Sequence, residues 1–146
     1  MTVFSENAPK HDYLYFYCHD TANMCNSPSL KAYSGSSWGM FYSNHYIWFC
    51  ASYWKMPTLG QLMDENKDNR DRQKVMENFS GSKGGIFFHE MWHLDMVSNP
   101  RTDDYAYQPD ECWNMSRDRG TWWASENADS YHMDALAIYV QQYYSR

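Results

Sequence analysis

The residues best suited to chemistry lie in the segment His-Glu-Met-Trp-His at residues 89–93. On an α-helix, histidines four residues apart project from the same face, so His89 and His93 can bind one metal ion together. Glu90 follows His89 directly and can reach a metal-activated water molecule without being a ligand itself. The pattern therefore predicts a hydrolytic zinc site.

The residues around this segment are largely apolar. On a helix, Phe87, Met91 and Leu94 would form one apolar face, and Phe88 and Trp92 a second. Such a helix would be buried on most sides, and buried imidazoles and carboxylates need polar partners or a metal. The competing explanation, two ordinary core histidines, is therefore the weaker one.

A catalytic zinc ion takes three protein ligands and keeps a fourth position for water, so one ligand is missing from the segment. Asp95 faces away, because it lies about 200° around the helix from His93. Spacing alone does not rank the other candidates. They are Asp103, Asp104, Asp110, Glu111, Glu126, Asp129 and His132.

Length and composition limit the possible functions. A chain of 146 residues corresponds to a single domain, here residues 1–146 with a frayed end at 1–12. The net charge of -6 argues against nucleic acid as a partner. No apolar run approaches the roughly 20 residues of a membrane helix. The aromatic content of 18% predicts an aromatic core.

Four cysteines and two glycosylation sequons, at Asn78 and Asn114, favour a secreted protein whose leader has been removed. The short separation of Cys18 and Cys25 suggests a local disulfide, which would leave Cys50 to pair with Cys112. A zinc knuckle is disfavoured, because the gap between the first two cysteines exceeds the usual spacing of two to four residues.

Local patterns predict an α+β fold. Aromatic and apolar runs predict strands at residues 13–18, 38–42 and 46–50, the last two joined by a turn at 43–45. The metal-binding helix should begin after Ser82 as N-cap and end near Val97, before Asn99-Pro100. Residues 114–123 are predicted to form a loop. Residues 127–143 have helical apolar spacing, at Met133, Leu136, Val140 and Tyr143, and a possible cap near Ser125.

Three segments, in this order along the chain, resemble those of the aspzincin metallopeptidases, which include the deuterolysins and the fungal peptidyl-Lys metalloendopeptidases. They are the His-Glu-x-x-His segment, residues 102–107 (Thr-Asp-Asp-Tyr-Ala-Tyr) and residues 127–131 (Asn-Ala-Asp-Ser-Tyr). The family combines His-Glu-x-x-His with Gly-Thr-x-Asp-x-x-Tyr-Gly and a helix that opens with Asn-Ala-Asp.

The resemblance assigns roles to individual residues. It implies that Asp104 is the third ligand of a single zinc ion, beside His89 and His93. It implies that Tyr107 hydrogen-bonds the oxyanion and that Glu90 is the general base. The rival hypothesis is a gluzincin-like site in which Glu126 is the third ligand. The implied fold is zincin-like, with a small aromatic sheet packed on the central helix.

The chain departs from the family pattern at Arg101 and Gln108, where the family has glycines, and their loss predicts a reshaped turn. In the lysine-specific members, two acidic residues contact the substrate side chain. Asp129 and His132 would take the substrate-binding positions here. Because His132 is not a carboxylate, strict lysine specificity is not predicted.

The sequence thus predicts a secreted, monomeric zinc metalloendopeptidase that acts on proteins or peptides, with neither nucleic acid nor a membrane as partner. The alternative is a catalytically inactive secreted zinc-binding or host-interaction protein on the same scaffold. An intact Glu90 and Tyr107 favour the enzyme, because a metal scavenger needs ligands but no base.

Overall fold

A computed structural model of the chain describes residues 12–39 and 42–145. The chain folds into two compact units. The first contains the described residues up to Lys55 together with Glu90–Thr102, and the second contains Met56–His89 and the chain from Asp103 onward. The predicted frayed end lies outside the described residues, except for Asp12.

The first unit contains a three-stranded sheet. Its strands are β1 (Asp12–Tyr17), β2 (Ala32–Trp38) and β3 (Ser43–Phe49), in the order β1-β3-β2. The central strand β3 runs parallel to β1 and antiparallel to β2. A 3₁₀ turn at Tyr53–Lys55 follows the sheet.

Strand β3 alternates between its two faces, as a strand with one buried face should. Ile47 and Phe49 are buried on one face. On the other face Trp48 stacks against Tyr17, with ring centroids 5.6 Å apart, and Tyr46 stacks against Tyr15 at 5.5 Å. The predicted strands at 13–18 and 46–50 are therefore confirmed by β1 and β3. The predicted strand at 38–42 is wrong, because β2 ends at Trp38, Gly39 and Tyr42 are not in a strand, and residues 40–41 lie outside the described residues.

The predicted position of the turn between β2 and β3 is wrong. Residues 43–45 are not a turn but the start of β3, where Asn44 pairs with Ser37. The alternating burial of β3 already begins at Ser43. The chain therefore reverses direction before residue 43, and the backbone N–H of Gly39 donates to the carbonyl of Tyr42 at 2.8 Å.

The predicted disulfides, Cys18 with Cys25 and Cys50 with Cys112, are also wrong. The structure joins Cys25 to Cys50, with their Cα atoms 5.7 Å apart. Cys18 is exposed and Cys112 is buried, and neither forms a disulfide. Asp20 accepts the backbone N–H of Cys25 at 2.8 Å, which fixes the backbone of this cysteine in its loop.

The second unit is helical around one core. Its helices are α1 (Leu59–Asn66), α2 (Glu77–Ser80), α3 (Lys83–Trp92, whose last residues belong to the first unit), α4 (Pro109–Arg119), α5 (Thr121–Ser125) and α6 (Ala128–Tyr144). The core residues are Met63, Phe79, Ala106, Cys112, Met115, Met133, Leu136 and Val140.

The predicted N-cap of α3, Ser82, is confirmed. The Ser82 hydroxyl accepts the backbone N–H of Gly85 at 3.0 Å, as an N-cap does. The helix ends at Trp92, earlier than the predicted Val97. Beyond Trp92 the chain continues in turns, in which the N–H of Val97 donates to the carbonyl of Leu94 at 2.9 Å.

The predicted loop at 114–123 is wrong, because α4 and α5 occupy it. These helices have no clear apolar period, so the sequence pattern does not indicate them. Their signals lie at the ends: Pro109 opens α4, and Gly120, with φ of 93°, ends it. Helix α6 begins after Asn127, not near Ser125, and buries the predicted Met133, Leu136 and Val140.

The α+β class is thus confirmed, whereas the zincin-like packing of sheet on helix stays a prediction. In the part of the chain that the structure describes, no helix is both long and apolar enough to span a membrane.

Gly85→Ala is expected to lower the free energy of unfolding by about 1–3 kcal/mol, the usual cost of overpacking. A methyl group at residue 85 would lie 2.7 Å from Cε1 of the buried His132 and 3.0 Å from the carbonyl oxygen of Ser80, closer than nonbonded atoms normally approach. Urea unfolding measures the change.

Gly84→Ala is the matched control. Within 4 Å of a methyl group at residue 84 there is nothing among the described residues, and alanine favours a helix. Equal stability of the two variants would contradict the close packing of α3 against His132.

Candidate metal centre

The two histidines of the segment lie at the end of helix α3. His89 lies in the last turn of the helix, and His93 follows its final residue, Trp92. The first is buried and the second half-buried. The prediction that one helix carries both histidines therefore holds for His89 only, because His93 lies in the turn after Trp92.

One set of three metal-ligating side chains stands out among the residues that the structure describes. Ligand atoms of His89, His93 and Asp104 all lie within 4.8 Å of one another. In the second unit, Nε2 of His89 is 3.2 Å from Oδ1 of Asp104. Glu126, the rival third ligand, is not in this set.

The other ring nitrogen of His89 is held by Asp129. Nδ1 of His89 lies 2.8 Å from Oδ1 of Asp129, and an ionised carboxylate can only accept, so this nitrogen carries the proton. Burial raises the pKa of Asp129, but hydrogen bonds from the rings of His132 and His89 outweigh burial and leave that pKa below its ordinary value. Nε2 of His89 is then the nitrogen with a lone pair.

His93 has the same arrangement within the first unit. Its Nδ1 lies 2.8 Å from the backbone carbonyl oxygen of Thr102, which can only accept a hydrogen bond. Nδ1 therefore donates, and Nε2 carries the lone pair. Zinc-bound histidines typically donate their second nitrogen to a carboxylate or a carbonyl in this way.

These donors fit a zinc ion. Nε2 of His89 and Oδ1 of Asp104 are both acceptors at 3.2 Å, so they repel unless a cation or a proton lies between them. Zinc bonds of about 2.0–2.1 Å at a tetrahedral angle separate two ligand atoms by about 3.3 Å. Two imidazoles and one carboxylate also form a common catalytic zinc set.

The loop that carries Asp104 is fixed by Asn127, the residue before α6. Its side-chain Oδ1 accepts the backbone N–H of Tyr105 at 2.9 Å and that of Ala106 at 3.0 Å. Asp103 forms a parallel bridge with the backbone of Asn127. Because Asn127 is fully buried, this contact defines the position of the loop within the second unit.

Glu90 is held by a residue of the sheet. In the first unit, the hydroxyl of Ser34, on β2, donates to Oε2 of Glu90 at 2.8 Å. Glu90 is only 7% exposed, so this hydrogen bond limits the positions available to its carboxylate.

Tyr107 lies beside His89. Their ring centroids are 6.1 Å apart, and the side chain of Tyr107 remains about half exposed, so solvent reaches it. Its predicted role at an oxyanion stays a prediction. Gln108, which replaces a family glycine, has φ of -109°, a value that any residue can adopt.

The structure places the two predicted substrate-binding residues in the interior. Asp129 is 5% exposed and His132 is 4% exposed. Nδ1 of His132 lies 3.2 Å from Oδ1 of Asp129, the same oxygen that His89 contacts. Their predicted contact with a substrate stays untested.

Comparison with known proteins identifies the family. The aspzincin family, described as lysine-specific metallo-endopeptidase, matches residues 2–135. The chain belongs to the aspzincin family.

Relatives of this aspzincin include two proteins of Arthroderma gypseum and one of Ajellomyces dermatitidis, each named neutral protease 2 homolog. The first two are 27% and 29% identical over 125 and 126 residues. The third is 29% identical over 125 residues. Each match covers 86% of this chain but only 27% or 28% of the relative. No solved structure matches.

The sequence does not indicate the supporting roles of two residues at this site, Asn127 and Ser34. Asn127 lies in the recognised Asn-Ala-Asp segment, but its contact with the loop at 102–107 could not be deduced from spacing. Ser34 carries no signal at all, because a serine in a strand is ordinary and its partner is 56 residues away.

Asp104→Ala is expected to weaken zinc binding by more than about 100-fold, because even the outer partners of zinc ligands contribute 10–100-fold. Zinc content after dialysis against a competing chelator measures the change. Asp103→Ala is the matched control, since Asp103 is the adjacent exposed carboxylate and lies outside the three-residue set. If Asp104→Ala binds zinc as tightly as the parent protein and the control, Asp104 is excluded as a ligand.

Proposed function

We propose that this aspzincin is a secreted zinc-dependent endopeptidase in which His89, His93 and Asp104 hold the metal. The observation that carries the proposal is the pairing of Nε2 of His89 with the Asp104 carboxylate at 3.2 Å, two acceptors that a zinc ion would join. The hydrogen bond from Nδ1 of His89 to Asp129 supports it, because it leaves Nε2 as the ligand atom.

A zinc ion in this position would supply a Lewis acid that lowers the pKa of a water molecule to about 7 and polarises a carbonyl group. Glu90 takes one proton from the water as its oxygen attacks the peptide carbonyl carbon. Glu90 then gives that proton to the leaving nitrogen, the C–N bond breaks, and a carboxylic acid and an amine are the products.

Two other side chains assist these steps. Ser34 donates to Oε2 of Glu90, which keeps the carboxylate oriented while it receives and returns the proton. Tyr107 donates a hydrogen bond to the oxygen that becomes negatively charged in the tetrahedral intermediate, so the charge is stabilised as it forms. Its position beside His89 supports this role.

Proteins and peptides are the proposed substrates, in agreement with a family described as metallo-endopeptidases and relatives named as proteases. The disulfide between Cys25 and Cys50 supports secretion, because disulfides persist in oxidising compartments. We propose that the enzyme acts as a monomer with one zinc ion per chain.

Glu90→Gln is expected to retain zinc and to lower peptide hydrolysis by about 100-fold or more, because general-base catalysis contributes 10²–10⁴-fold. Glutamine has the size of glutamate and still accepts a hydrogen bond from Ser34, so a structural effect is minimised. Zinc content and casein cleavage are measured on parent and variant side by side.

Cleavage by Glu90→Gln at the parental rate would exclude Glu90 as the base. If parent and variant both retain zinc and neither cleaves casein or a peptide library, the chain is instead an inactive zinc-binding protein on the same scaffold.

A further inference from the structure

The oxygen Oδ1 of Asp129 lies between two histidines. It is 2.8 Å from Nδ1 of His89 and 3.2 Å from Nδ1 of His132. All three residues are at least nine-tenths buried in the second unit. Because the carboxylate accepts from both rings, each ring has its proton on Nδ1, and the orientation of Asp129 depends on both.

Helix α3 fixes the ring of His132 from the other side. Gly85 has no Cβ, and a methyl group there would overlap Nε2 of His132, so the ring packs directly against the helix backbone. Among the described residues, Nε2 of His132 has no hydrogen-bond partner. Asp129 is therefore the polar contact that holds this ring in the interior.

This arrangement differs from what a substrate-binding pair requires. A carboxylate that selects a basic side chain needs an oxygen that this side chain can reach, whereas Asp129 is buried and its Oδ1 already accepts two hydrogen bonds. Its partner His89 is a proposed zinc ligand, and a hydrogen bond from the second ring nitrogen to a carboxylate commonly orients zinc-bound histidines.

We propose that Asp129 and His132 are a positioning pair for the zinc ligand His89: His132 orients Asp129, and Asp129 holds the Nδ1–H form and the ring direction of His89. The inference rests on the proposed zinc function and deepens it. In this assignment neither residue contacts the substrate, so Asp129 does not bind a lysine side chain of the substrate.

The test compares His132→Leu with His132→Asn. Leucine fills space but donates no hydrogen bond, whereas the amide of asparagine can replace Nδ1 as donor to Asp129. The zinc dissociation constant, measured by chelator competition without any substrate, should rise about 10–100-fold for leucine and stay near the parental value for asparagine. His19→Leu, the same change at an exposed histidine, should have no effect.

Two outcomes overturn the proposal. The first is that His132→Leu binds zinc with the parental affinity, and a changed substrate KM in this variant would then indicate a substrate-binding role. The second is that the leucine and asparagine variants lose zinc affinity equally, because the hydrogen bond to Asp129 would then not explain the loss.

A measurement on the parent protein decides the question if the leucine variant does not fold. Nitrogen-15 NMR of the zinc-loaded chain should find the His89 proton on Nδ1 and the metal on Nε2. The reverse assignment overturns the proposal. A parent that binds no zinc at all would overturn the proposed function itself, and the role of this pair with it.

Discussion

The start of helix α6 holds His89 and the loop of Asp104, through two side chains two residues apart. Asn127 accepts the N–H groups of Tyr105 and Ala106 and so fixes the loop of Asp104. Asp129 accepts Nδ1 of His89. Because Asn127 directly precedes α6 and Asp129 lies in its first turn, the start of α6 sets the distance between His89 and Asp104.

Burying these polar groups requires that each be satisfied, because an unpaired buried polar atom costs about 1–3 kcal/mol. Asn127 meets this condition: its Oδ1 accepts two backbone N–H groups, and its Nδ2 donates to the hydroxyl of Ser130 at 3.2 Å. In the first unit, the hydroxyl of Ser34 donates to Oε2 of Glu90 and so gives this buried carboxylate a hydrogen bond. The site is thus held by hydrogen bonds from residues outside the ligand set.

Local signals predicted the parts of the fold that local physics determines. Ser82 capped α3 as expected, and the apolar spacing of Met133 and Leu136 identified α6. Helix α4 could not be predicted, because its many polar residues leave it without an apolar period. The pairing of Cys25 with Cys50 depends on how distant segments fold together, which spacing cannot reveal. For the same reason, spacing left the third ligand open, and only the family resemblance selected Asp104.

X-ray absorption at the zinc K edge of the zinc-loaded chain tests the central claim most directly. The account predicts only nitrogen and oxygen donors, at about 2.0–2.2 Å, with scattering from two imidazole rings. A sulfur donor at about 2.3 Å would contradict it. Such a result would mean that Cys18 or Cys112, the cysteines outside the disulfide, binds the metal instead.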